Sequence, residues 1–110
     1  MTTMRRGEIR WCQLRAPDKK RPVLILTRDV IVDQMNEIIV APVTRTIRGI
    51  ATEVVLDEAD AIKVRSALNL DHLGIVQRGR LGPVLCVLRD SRWPEVEHAL
   101  RVACGFIAPA

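Results

Sequence analysis

The hydrophobic period of this chain changes once, near Ser91, and that change limits the fold more than any other feature. Before it, apolar residues come in short segments of strand character separated by turn residues. After it, Val96, Ala99, Leu100 and Ala103 recur at i, i+3, i+4 and i+7, the spacing of one helix face. Pro94 falls in the first turn of that helix, Glu95 and Glu97 near its N-terminus, and Gly105 just past its end. Upstream, residues 8–14 alternate, with Ile9 and Trp11 on one face and Arg10 and Cys12 on the other, as in a half-buried strand. The continuous run Val23-Leu24-Ile25-Leu26 within 22–27 suits a strand buried on both faces, with Pro22 at its start. Further strands are expected over 37–43, 52–56, 64–70, 72–76 and 84–88. A turn over 15–20, an exposed basic loop over 44–51, an acidic turn over 57–60 and a tight connection over 77–80 join them. Six or seven short strands and one helix predict a mainly β fold, a small, strongly bent SH3-like barrel with the C-terminal helix against it.

At 110 residues the chain is expected to form one domain, 1–110, because so short a polymer buries too little surface for a second core. Hydrophobic residues make up 48% and charged residues 27%, a balance that excludes a disordered polyelectrolyte. No apolar run reaches the roughly 20 residues that cross a bilayer. Residues 1–10 carry Arg5, Arg6, Glu8 and Arg10 without an apolar segment, so no secretory signal is read there and a cytoplasmic protein is expected. Cys12, Cys86 and Cys104 are odd in number and far apart, which suggests neither a disulfide framework nor a zinc site. They are expected to be small buried hydrophobes. The formal net charge of +4 is mostly an arginine excess, suited to a polyanionic partner, and no cofactor is called for.

Four short motifs sharpen this picture. Arg6-Gly7-Glu8-Ile9 with Trp11, then Arg21-Pro22-Val23-Leu24-Ile25, then Ala41-Pro42-Val43-Thr44, then Ser66 to Leu73 running on to Arg80-Leu81, resemble in order and spacing the MazF/PemK family of toxin ribonucleases. The final helix matches as well. The resemblance implies the barrel that this family shares with CcdB-type toxins. It also implies the toxin of a type II toxin–antitoxin system: a sequence-specific, metal-independent endoribonuclease that cuts single-stranded RNA as a homodimer. An antitoxin with an acidic, partly disordered tail would compete with RNA for the same basic groove. The chain departs from the family at the loop Arg15-Ala16-Pro17-Asp18-Lys19-Lys20, which is shorter and more basic, and at His72, where the family commonly has glutamine.

Metal-free cleavage of RNA needs attack by a ribose 2′-OH on the adjacent phosphorus, leaving a 2′,3′-cyclic phosphate and a 5′-OH. A proton must leave, the extra negative charge must be stabilised and the leaving oxygen must be protonated. By the resemblance, Arg21 is the catalytic arginine, whose fork can hold two non-bridging oxygens, and Thr44 the active-site threonine, whose hydroxyl can reach the phosphate or the 2′-OH. A guanidinium is a poor base at neutral pH, so charge stabilisation is the role expected of Arg21. Lys19, Lys20, Arg45 and Arg48 fall on the two loops expected to flank the site and would track the backbone. The only aromatic residues are Trp11, Trp93 and Phe106, so polar groups are expected to read the bases. Asn69, Asp71 and His72 are the candidates, with turn chemistry the rival reading for the first two. His72 could instead supply an acid or base, whereas His98 reads as structural or solvated. Two other functions compete. A CcdB-like inhibitor of DNA gyrase would end in Trp-Gly-Ile, where this chain ends Gly105-Phe106-Ile107-Ala108-Pro109-Ala110. A non-catalytic RNA-binding relative would not need to keep both Arg21 and Thr44.

Overall fold

The computed structural model describes residues 3–15 and 19–109, so the middle of the turn expected over 15–20 lies outside the described residues. Seven antiparallel strands form the sheet: β1 (Glu8–Gln13), β2 (Lys20–Ile25), β3 (Glu37–Thr44), β4 (Glu53–Leu56), β5 (Ser66–Asn69), β6 (Gly74–Gln77) and β7 (Leu81–Val87). Their order is β4-β5-β3-β2-β1-β7, with β6 paired to the first half of β3. A short helix α1 (Asp29–Val32) follows β2, and helix α2 (Trp93–Ala103) ends the fold. The mainly β architecture with a C-terminal helix is the one expected from the change of period.

Alternation along the strands feeds two cores. Leu24 joins Ile9, Ala41, Val43, Val54, Leu56, Leu68 and Leu70 on the face that α2 covers through Val96 and Ala99. Its neighbours Val23 and Ile25 turn the other way, toward Met4, Cys12, Val32, Ile38 and Val40. The continuous apolar run of β2 is thus a strand buried on both sides, as its lack of alternation required. The first core contains residues of β4 and, through Cys86, of β7, the two ends of the strand order. The sheet therefore curls back on itself, and α2 packs across the remaining gap.

Several details depart from the sequence expectations. Trp11 lies on the same face as Ile9, as alternation predicts, since β1 pairs with β2 in unbroken register, but that face runs past the core there and Trp11 emerges 36% exposed. Arg10 is buried instead, its guanidinium bonded to Glu8 and to the carbonyls of Thr3 and Gly82. Helix α1 left no periodic trace, being a single turn. It is held by side chains at its borders, where Asp29 and Asp33 accept the backbone N–H groups of Arg6 and Met4 at 2.7 Å. Residues 70–72 form a 3-10 turn, so β6 begins at Gly74 and His72 does not open a strand. Cys12 and Cys86 are buried as expected, but Cys104, beyond the last residue of α2, is exposed.

Candidate active site

Pairing brings the start of β2 beside the end of β3. The register Val23 to Pro42, Leu24 to Ala41 and Ile25 to Val40, continued two residues, sets Arg21 level with Thr44. On its other side, β3 places Thr44 opposite Ala67 of β5, so Asn69 at the end of β5 falls near Pro42. These elements enclose a recess of about 190 Å³ lined by Arg21, Pro42, Thr44, Thr46, Arg48, Asn69 and His72. A second recess of about 380 Å³ adjoins it, lined by Trp11, Lys20, Arg21, Pro22, Val43, Thr44, Arg45, Thr46 and Ser66. Neither wall contains a carboxylate.

Each polar side chain of the smaller recess is held or left open in a definite way. The hydroxyl oxygen of Thr44 accepts the backbone N–H of Thr46 at 3.2 Å, leaving its own proton to donate outward. Asn69, almost fully buried, caps the 3-10 turn by accepting the N–H of Asp71 at 3.0 Å, while its amide nitrogen lies 3.0 Å from Nδ1 of His72. With the amide donating, a neutral His72 carries its proton on Nε2, which becomes the donor. Asn69 thus does turn chemistry and faces the recess at once. Asp71 accepts the Thr52 hydroxyl at 2.6 Å and lines neither recess, so the structure brings it to the turn rather than to the wall.

The basic residues divide similarly. Lys20 and Arg45 line the larger recess and Arg48 the smaller, whereas Lys19 lines neither. Among the described residues, no hydrogen bond or ion pair engages the side chains of Lys20, Arg21, Arg45 or Arg48. Arg10, Arg78, Arg89 and Arg92, by contrast, are each tied to carboxylates. Unpaired cations facing a wall without carboxylates suit an anionic ligand. The loop that carries Arg45 and Arg48 is shaped by Glu53, whose Oε1 accepts the N–H groups of Arg48 and Gly49, each at 3.0 Å. Gly49 sits at φ 71°, a backbone state that glycine adopts without strain. His98 is exposed on α2, away from both recesses. Among the described residues, no cluster of three or more His, Cys, Asp or Glu is placed to hold a metal.

Sequence reasoning missed Trp11, Thr46 and Ser66 as wall residues. Thr46 was within reach, two positions beyond Thr44, but Trp11 depends on the register of β1 against β2, which sets it opposite Pro22, and Ser66 on the register of β5 against β3.

Comparison with known proteins agrees with the motifs. Residues 5–104 match the family model described as PemK-like, MazF-like toxin of type II toxin-antitoxin system. Over 99 residues the chain is 43% identical to the probable endoribonuclease MazF5 of Mycobacterium tuberculosis, covering 89% of this chain and 90% of that protein. It is 37% identical over 83 residues to the endoribonuclease MazF3 of the same organism, covering 76% and 81% of the two chains. Among solved structures, the Mycobacterium tuberculosis toxin MazF-mt6 superposes with a TM-score of 0.82 at 36% identity, over 89% of this chain and 96% of that one. A mycobacterial endoribonuclease in complex with its cognate antitoxin shares the fold, with a TM-score of 0.84 at 23% identity over 96% and 99% of the chains. With nearly its whole length matched, this chain belongs to the MazF/PemK family of toxins of type II toxin–antitoxin systems.

Proposed function

We propose that this chain is an endoribonuclease that cleaves single-stranded RNA, sequence-specifically and without a metal, by attack of a 2′-OH on the adjacent phosphorus. The products are a 2′,3′-cyclic phosphate and a 5′-OH. The observation that carries the reading is the convergence of an unpaired Arg21 and an outward-donating Thr44 hydroxyl in one recess. Arg21 holds two non-bridging oxygens and stabilises the charge that builds on them. Thr44 donates to the same phosphate. Asn69 and His72, facing the recess beside them, present donors and acceptors to a base edge. Lys20, Arg45 and Arg48 extend the cationic lining along the RNA backbone, with Lys19 a more distant contributor and Asp71 acting through the turn it anchors.

Membership in a toxin–antitoxin family supports a cognate antitoxin as the partner. Its acidic, partly disordered tail would occupy this basic groove in place of RNA. Exposed Ile39 and Ile75, cross-strand partners on β3 and β6, support a homodimer, since paired apolar side chains at 45% and 66% exposure favour a protein neighbour. No described helix is long and apolar enough to cross a membrane. An RNA substrate puts the site of action in the cytoplasm.

The test is cleavage of a long unstructured RNA in EDTA by the wild type and by Arg21→Ala, with fragment ends identified chemically. Cyclic phosphate and 5′-OH ends from the wild type are expected, with the rate at least about a hundredfold lower for the variant. Intact RNA from the wild type would overturn the reading, and equal cleavage by both would remove Arg21 from it.

A further inference from the structure

Among the described residues, only Arg21, Thr44 and Thr46 belong to the walls of both recesses. An RNA strand with one nucleotide in each recess must carry the linking phosphodiester across that shared wall. Two of the three are the residues already given to the scissile phosphate. Thr46 is the third, and its position is tied to theirs: its backbone N–H donates to the Thr44 hydroxyl oxygen at 3.2 Å and so helps to orient that hydroxyl. Thr46 is exposed, and its hydroxyl has no hydrogen-bond partner among the described residues. We propose that Thr46 is a further catalytic residue, its hydroxyl donating to a non-bridging oxygen of the scissile phosphate beside Arg21 and Thr44.

The inference rests on the ribonuclease reading and deepens it. As the 2′-oxygen bonds to phosphorus, two non-bridging oxygens gain negative charge, and each can accept more than one donor. A guanidinium fork and one hydroxyl leave acceptor capacity over. The backbone of Thr46 orients Thr44 while its side chain supplies the extra donor, so the two roles separate by substitution. Thr46→Val keeps the shape and the backbone N–H but removes the hydroxyl; Thr46→Ser keeps the hydroxyl.

The experiment uses a short RNA carrying one cleavage site mapped with the wild type, prepared with each stereodefined phosphorothioate at that linkage and assayed in EDTA. For Thr46→Val, kcat is expected to fall about a hundredfold with KM little changed, and Thr46→Ser to recover most of the loss. Sulfur accepts hydrogen bonds weakly, so the wild type should discriminate between the two diastereomers, and Thr46→Val should lose much of that discrimination. Wild-type kcat in Thr46→Val, or a lower kcat with the discrimination unchanged, would overturn the role of Thr46 while leaving the ribonuclease reading in place. Failure of the wild type to cleave any RNA would overturn both.

Discussion

Trp11 is the aromatic side chain that faces the groove, lining the larger recess beside Lys20 and Arg21. A ring flanked by cations suits a nucleotide whose base stacks while its phosphate is neutralised, and such stacking contributes about 1–3 kcal/mol per base. Trp11→Leu should therefore weaken binding of a non-cleavable 2′-deoxy oligonucleotide about tenfold or more, whereas Trp11→Phe should stay near the wild type. Indole fluorescence reports the contact directly: the oligonucleotide should quench the wild type and leave Trp11→Phe, which retains Trp93, unchanged. Equal affinity for the leucine variant would show that the ring only shapes the wall. At this scale the sequence was informative where a recess residue belongs to a motif and silent where its place depends on strand pairing. Arg21, Thr44, Asn69 and His72 were nameable because each belongs to a short segment of fixed order, and all four line one recess. Trp11 was put on one face with Ile9, and the regular pairing of β1 with β2 keeps it there, but alternation alone does not show that this face leaves the core for the groove at Trp11. Lys19 and Asp71 were grouped with the site by the loop and the strand end that the family resemblance puts beside RNA, but neither lines its walls.

The segment between β3 and β4 carries Arg45, Thr46 and Arg48 to the groove without regular structure of its own, so what fixes it must be found in its borders. Glu53, the first residue of β4, does this by accepting two consecutive backbone N–H groups with one oxygen. Its other oxygen, Oε2, is buried and has no partner among the described residues. Hydrogen bonds to an ionised group contribute about 1.5–3 kcal/mol each, while an unpartnered buried oxygen costs part of that back. Glu53→Gln keeps an acceptor for the two N–H groups, and Glu53→Ala keeps nothing. The expected order is thus wild type and glutamine variant close together, with the alanine variant showing faster amide exchange at Arg48 and Gly49 and slower RNA cleavage. Unchanged exchange at those two amides in Glu53→Ala would mean that the loop holds itself. All seven strands and α2 were anticipated within a few residues, even four-residue β4, because apolar runs between turn residues mark a strand at any length, whereas α1, at four residues, is shorter than any window that could reveal a helical period. The 3-10 turn at 70–72 escaped for a related reason. It depends on the Asn69 cap, and a capping asparagine and a base-reading asparagine look alike in sequence.

On the scale of the whole molecule, strand faces follow from period-two patterning, but the order β4-β5-β3-β2-β1-β7 does not, because pairing joins residues far apart in the chain. Nor could the sequence show what ties α2 to the curled sheet. That tie centres on Asp60, a buried carboxylate in the connection between β4 and β5. Arg92 donates to it at 2.6 Å, and also to the carbonyl of Val55 and to Glu95, while Arg89 reaches it at 3.1 Å. Burial by itself would raise the Asp60 pKa, but the Asp57 backbone N–H and the two guanidinium groups outweigh it and hold the carboxyl below its usual value. A depressed folded-state pKa stabilises the fold above the unfolded carboxylate value of about 3.9 and is lost as pH falls through the folded value. Half-exposed Arg89 contributes less than Arg92, so the Arg92 pair dominates. Asp60→Asn leaves Arg92 without its closest partner and should cost about 3 kcal/mol at neutral pH, measured by denaturant unfolding. Below about pH 4 the wild type should lose stability steeply and approach the variant, whose own curve stays flatter there. Parallel curves for the two proteins from neutral pH into acid would show that the stability of the sheet–helix junction is carried by the apolar contacts of Val96 and Ala99 and not by this carboxylate.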